Sequence, residues 1–112
     1  GNPVYLNDTY ALDLASGHYN WTKLEVEGRV PAPRWRHTAN CFNQSSVFIF
    51  GGIGEKARYN DCAILETEID VPAWHDPVPA GTAPSPRSYH TATFLKDKIY
   101  IFGGYGGHGM RR

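Results

Sequence analysis

Apolar positions along this chain fall in short runs bounded by turn residues, and no stretch shows the helical period. The clearest run, Val47-Phe48-Ile49-Phe50, is continuously apolar, which predicts a strand covered on both faces. Before it, His37 to Phe42 read as a first strand, closed by the polar turn Asn43-Gln44-Ser45. Gly51-Gly52 end the second strand, and a polar loop runs from Ile53 to Tyr59. From Asp61 to Ile69, Cys62, Ile64 and Glu66 alternate with Ala63, Leu65 and Thr67, predicting a third strand. A fourth, Ala73 to Val78, is short and edge-like, because Pro72, Pro77 and Pro79 cannot donate to a central ladder. The same reasoning predicts strands at Asp8 to Leu14, Tyr19 to Val26, Ser88 to Leu95 and Ile99 to Phe102. The fold class is all β.

These elements repeat. Pro31-Ala32-Pro33-Arg34-Trp35-Arg36-His37-Thr38-Ala39 matches Pro84-Ser85-Pro86-Arg87-Ser88-Tyr89-His90-Thr91-Ala92 at a constant offset. Asn7-Asp8 matches Asn60-Asp61, Trp21 matches Trp74, and Gly28 matches Gly81 at that same offset. Phe50-Gly51-Gly52 matches Phe102-Gly103-Gly104 one position short, which places a deletion in the hairpin tip Lys96-Asp97-Lys98. A period near fifty residues points to propellers, solenoids or arrays. The phase divides the chain into a half-unit over 1–30, a complete four-stranded unit over 31–83 and a half-unit over 84–112.

The ordered set Pro-Arg-x-x-His-Thr, Phe-Gly-Gly, Asn-Asp, Asn7-Asp8-x-Tyr10-x-Leu12-Asp13-Leu14 and a Trp before the next Gly and Pro resembles the kelch repeat. The resemblance implies blades of a β-propeller, each a twisted four-stranded sheet around a central channel. A six-bladed ring at this period would need roughly 320 residues, so about two blades are expected here, as part of a larger propeller or of a ring closed by other copies. The paired glycines allow positive φ where backbones crowd. Trp21 and Trp74 are expected to fill the wedges between sheets. Arg34, His37, Arg87 and His90 are expected to bond carbonyls of the next blade. The second unit departs from the pattern at Ala63, Glu66-Thr67 and Asp70-Val71-Pro72.

Composition narrows the function. Eleven basic residues balance eleven acidic ones, which removes the electrostatic footprint of a nucleic-acid binder. No apolar run is long enough to span a bilayer. Position 1 is not Met and no leader pattern follows it, so the start reads as a fragment boundary. Cys41 aligns with Phe94 and Cys62 lacks an equivalent, so both read as buried, reduced residues of a cytoplasmic protein. The Asn-X-Ser/Thr triplets at Asn7, Asn20 and Asn43 oppose that location, although the repeated Asn-Asp already accounts for Asn7. His18, His75 and His108 lack ligand spacing, and no cofactor is expected.

In kelch-like propellers, ligands meet the face carrying the loops between second and third strands and between blades. By that resemblance Trp35, Arg36, Arg58, Tyr59, Tyr89, Tyr105 and Arg111 form a candidate patch for a protein or peptide partner that is acidic or phosphorylated. The leading expectation is a non-enzymatic interaction module. Two others stand beside it: part of a propeller enzyme (a sugar mutarotase, or a copper enzyme like galactose oxidase), and a contact element of a large assembly.

Overall fold

A computed structural model of the chain describes residues 3–15 and 17–107. Among these it contains no helix and nine strands in three sheets. Strands β1 (Tyr10–Asp13) and β2 (Asn20–Lys23) form an antiparallel pair. After the two-residue β3 (Glu27–Gly28) come β4 (Thr38–Phe42), β5 (Ser46–Phe50), β6 (Cys62–Glu66) and β7 (Ala73–His75), an antiparallel meander. Strands β8 (Thr91–Leu95) and β9 (Lys98–Phe102) make the third sheet.

Strand β5 lies inside the middle sheet, with β4 and β6 on either side, as its unbroken apolar run predicts. The core is concentrated here: Phe50, Ala63 and Leu65 are buried, while Leu12, Tyr100 and Phe102 on the flanking sheets are exposed. The predicted third strand is shorter than expected. It stops at Glu66 because the Thr67 N–H and hydroxyl both turn to the Ser45 carbonyl, at 3.1 and 2.6 Å. The fourth ends at His75, before Asp76-Pro77, where the ladder has no further donor.

The hairpin tips show the deletion directly. Phe42 pairs with Ser46 around three residues, of which Asn43 and Gln44 have positive φ. Leu95 pairs with Lys98 around two, of which Lys96 has φ 61°. One pairing lies outside the repeat pattern. Strand β3 runs parallel to β7, with Glu27 opposite Ala73 and Gly28 opposite Trp74, so the middle sheet has the order β3-β7-β6-β5-β4.

The seam between the middle and third sheets mixes apolar and polar contacts. Phe42 and Phe94 approach with ring centroids 6.1 Å apart, and the Asn40 amide donates to the Ala92 carbonyl at 3.2 Å. Between β1–β2 and the middle sheet lies a cavity of about 380 Å³, lined by Leu6, Leu24, Val47, Ile49, Leu65 and Trp74. Trp74 is half-buried there, with its indole N–H enclosed and without an acceptor among the described residues. Trp21 does not fill a wedge: it is 69% exposed, opposite Leu12 on a sheet whose outer face no described residue covers. Cys41 is likewise exposed rather than buried, since alternation along β4 turns it outward with Ala39; Cys62 is half-buried, and neither is bonded to the other.

Candidate functional site

The two Pro-x-Pro-Arg segments build equivalent local structures. The Arg34 guanidinium donates from Nε to the Ala32 carbonyl and from Nη1 to the Gly51 carbonyl, both at 3.0 Å. Arg87 repeats this with the carbonyls of Ser85 and Gly103, again at 3.0 Å. Each arginine therefore ties its own entry segment to the glycine pair ending its own sheet's second strand, not to the next sheet as expected. Arg34 also holds Asp61 bidentately, with Nη1 and Nη2 at 2.6 and 3.0 Å from the two carboxylate oxygens. Its side chain is 5% exposed and that of Asp61 48%, so the pair is sealed on one side only.

One residue further on, both entry segments close onto the loop after the second strand. Trp35 and Ile53 exchange backbone hydrogen bonds at 3.0 and 2.9 Å; Ser88 and Tyr105 do the same at 3.0 and 2.7 Å. The approach is close enough to exclude a side chain at the second glycine. A Cβ on Gly52 would lie 2.8 Å from the Trp35 carbonyl oxygen, and one on Gly104 2.7 Å from that of Ser88.

Of the histidines, His90 crosses between sheets. It is buried, its Nε2 lies 2.9 Å from the Thr38 hydroxyl, and its ring meets Phe50 edge-on at 5.3 Å. Desolvation holds its pKa below the usual value; the Phe50 carbonyl opposes that shift, while Arg87 and His37 reinforce it. His37 stands more exposed, and desolvation and then Arg34 lower its pKa too.

The candidate contact residues separate into two clusters and one outlier. Arg36 packs its guanidinium against both Trp35 and Tyr89, 4.4 Å from each ring centroid. Arg36 and Tyr89 occupy equivalent positions and share a positive φ, 59° and 63°, and the Tyr89 N–H donates to the Arg36 carbonyl at 3.3 Å. Both rings are exposed, and among the described residues Arg36 meets no hydrogen-bond acceptor. Arg58 lies 4.6 Å from the Tyr105 ring centroid and donates from Nε to Ser88 Oγ at 3.4 Å. Since Ser88 is next to Tyr89, the two clusters adjoin through the chain. Tyr59 faces elsewhere, with the Arg34 guanidinium 4.2 Å from its ring centroid. Arg111 lies outside the described residues, as do His108 and Arg112.

Two contributors escaped the sequence reading. Ser88 is fully buried and anchors Arg58, yet it replaces a Trp in the matching segment and carries no repeat signal. The sequence marks Asp61 only as the opener of the third strand, and the recurrence of Asn-Asp is the one hint of its pairing. The described residues contain no group of three or more His, Cys, Asp or Glu placed to hold a metal.

Residues 1–111 match the family model described as the KLHDC2/KLHL20/DRC7 Kelch-repeats domain. The chain belongs to the kelch-repeat family. Its fold is that of kelch-type propeller blades: the middle sheet carries the four-stranded meander β4–β7, and a two-stranded half-blade flanks it on each side. Among similar kelch proteins, the flagellar outer arm dynein alpha chain of Chlamydomonas reinhardtii is 37% identical over 111 residues, covering 98% of this chain and 2% of that one. Human host cell factor 2 is 38% identical over 113 residues, covering 95% of this chain and 14% of the relative. Adagio protein 3 of Arabidopsis thaliana is 35% identical over 100 residues, covering 88% and 16%. The kelch chain thus spans a small part of the curated relatives it matches.

Proposed function

We propose that this chain forms part of a kelch propeller that acts without catalysis, as an interaction module for a protein or peptide partner bearing acidic groups. The observation that carries this reading is Arg36, a cation packed against two exposed aromatic rings with no hydrogen-bond acceptor among the described residues. Holding the guanidinium in place lowers the ordering cost of pairing it with an anion, and Trp, Tyr and Arg are the residue types that dominate interface energetics. Arg58 on Tyr105 supplies a second such cation close by. In this reading the units divide near residues 30/31 and 83/84, and further blades complete the ring.

The test is affinity capture by the intact protein beside a variant carrying Arg36→Ala, Arg58→Ala and Tyr89→Ala. Loss of the captured partner in the variant, and weaker capture at high salt in the parent, are expected. Undiminished capture by a folded triple variant overturns the proposed patch.

A further inference from the structure

In the loop entering β8, Ser85 brings a hydroxyl to a position that holds Ala32 in the preceding unit. It lies between Pro84 and Pro86, and its Oγ accepts a hydrogen bond from Arg87 Nη2 at 3.2 Å. We propose that Ser85 is a phosphorylation site whose phosphate is received by the Arg87 guanidinium.

Three observations converge on this site. First, residues 76–90 contain no regular strand, and the stretch from Val78 to Pro84 is exposed. Ser85 itself is half-buried, held by the Asn60 amide on the Pro84 carbonyl at 3.0 Å and the Arg87 N–H on the Tyr59 carbonyl at 3.1 Å. Releasing those two bonds frees the backbone on either side of Ser85, while the Arg87 side chain and the Gly52 N–H on the Arg87 carbonyl, at 2.8 Å, still hold the end of the segment. Proline directly after the serine fixes the backbone form that proline-directed serine/threonine kinases accept.

Second, the receiving group is already in place. Arg87 is pinned through Nε and Nη1 to the carbonyls of Ser85 and Gly103, which leaves Nη2 directed at the Ser85 hydroxyl. Third, the equivalent arginine shows what this geometry accommodates: Arg34 Nη1 and Nη2 hold a carboxylate, that of Asp61. A phosphate on Ser85 would offer Arg87 a comparable anion from within its own loop, with charge-assisted hydrogen bonds replacing a neutral one.

The reaction is an ordinary phosphoryl transfer. The kinase breaks the bond between the γ-phosphorus of ATP and its bridging oxygen and joins the phosphorus to Ser85 Oγ. The hydroxyl proton passes to the kinase's catalytic base and ADP leaves. The product ties the loop to the start of β8.

The test treats the whole folded protein with a purified proline-directed kinase and Mg-ATP, maps phosphate by fragment mass spectrometry, and titrates it by phosphorus NMR. A synthetic peptide of residues 80–90 serves as reference. We expect phosphate on Ser85, none at that position in Ser85→Ala, and a second phosphate ionisation below the peptide's value of about 6. In Arg87→Gln that lowering should disappear; should this variant not fold, the comparison of parent protein with peptide carries the result. Three outcomes overturn the proposal: a peptide the kinase ignores, a peptide modified while folded protein is not, and a phosphoserine that ionises as it does in the peptide.

Discussion

His90 Nε2 lies 2.9 Å from the hydroxyl of Thr38, joining the entry of the third sheet to the first strand of the middle one. Its Nδ1 is enclosed with no hydrogen-bond partner among the described residues. Protonation would put a charge into this desolvated seam, and beside Arg87, so the folded protein favours the neutral ring chiefly because the site is buried.

Stability should therefore fall on acidification. A histidine whose folded pKa is lowered contributes fully above its unfolded value, near 6.5, and loses that contribution as pH falls through the folded value. His37 is shifted in the same direction and adds to the loss. Urea midpoints measured between pH 7.5 and pH 5 should decrease, and His90→Gln should flatten the slope. A His90→Gln profile parallel to the parent's would rule out this histidine as the source.

The Arg34–Asp61 pair should be unequal in its two halves. Asp61→Asn removes the carboxylate charge and one of the two oxygens facing a buried guanidinium, and a cost of about 1.5–3 kcal/mol is expected for the lost charged hydrogen bonds. Arg34→Ala should cost more, because it also releases the Ala32 and Gly51 carbonyls and uncovers Tyr59. Denaturant midpoints check the order. Equal losses would mean that the carbonyl bonds contribute nothing.

Gly52 and Gly81 both have positive φ, 99° and 86°, but only Gly52 faces backbone across a close approach. Gly81→Ala should cost about 1–2 kcal/mol, the penalty for a side chain in the left-handed region. Gly52→Ala carries a comparable penalty and must also displace the Trp35 strand entry, so its melting temperature should fall further. Matching melting temperatures for the two variants would contradict the close approach.

Much of this fold was legible because its signals are local. The run Val47 to Phe50 declared a doubly covered strand, and the turn Lys96-Asp97-Lys98, shorter than Asn43-Gln44-Ser45-Ser46, located a shortened hairpin. What was not legible depends on residues far apart in the chain. Nothing in Glu27-Gly28 announces a strand, since its partner β7 lies more than forty positions on. The left-handed conformations of Arg36 and Tyr89 were equally hidden, because neither residue type favours positive φ. That conformation accompanies the contact between the Arg36 guanidinium and the Tyr89 ring. Sequence thus offered candidate contact residues without showing which of them meet, and it grouped Tyr59 with a cluster it does not join.

Lys96 holds φ 61° in a two-residue hairpin turn, where glycine or asparagine is the usual solution. Lys96→Gly should raise stability by about 0.5–1 kcal/mol, the relief of left-handed strain less the added freedom of the unfolded chain. A thermal melt would show the gain, and a decrease would mean that the lysine side chain contributes to the hairpin.

The parallel pairing of β3 with β7 gives the repeat a practical asymmetry. A shortened protein begun at residue 31, where the sequence period invites a cut, would lose Glu27 and Gly28 and uncover the outer edge of β7. Unpaired backbone donors and acceptors along such an edge recruit other chains. Expression experiments that follow the period would thus favour aggregation, whereas starting a few residues earlier would keep that margin closed.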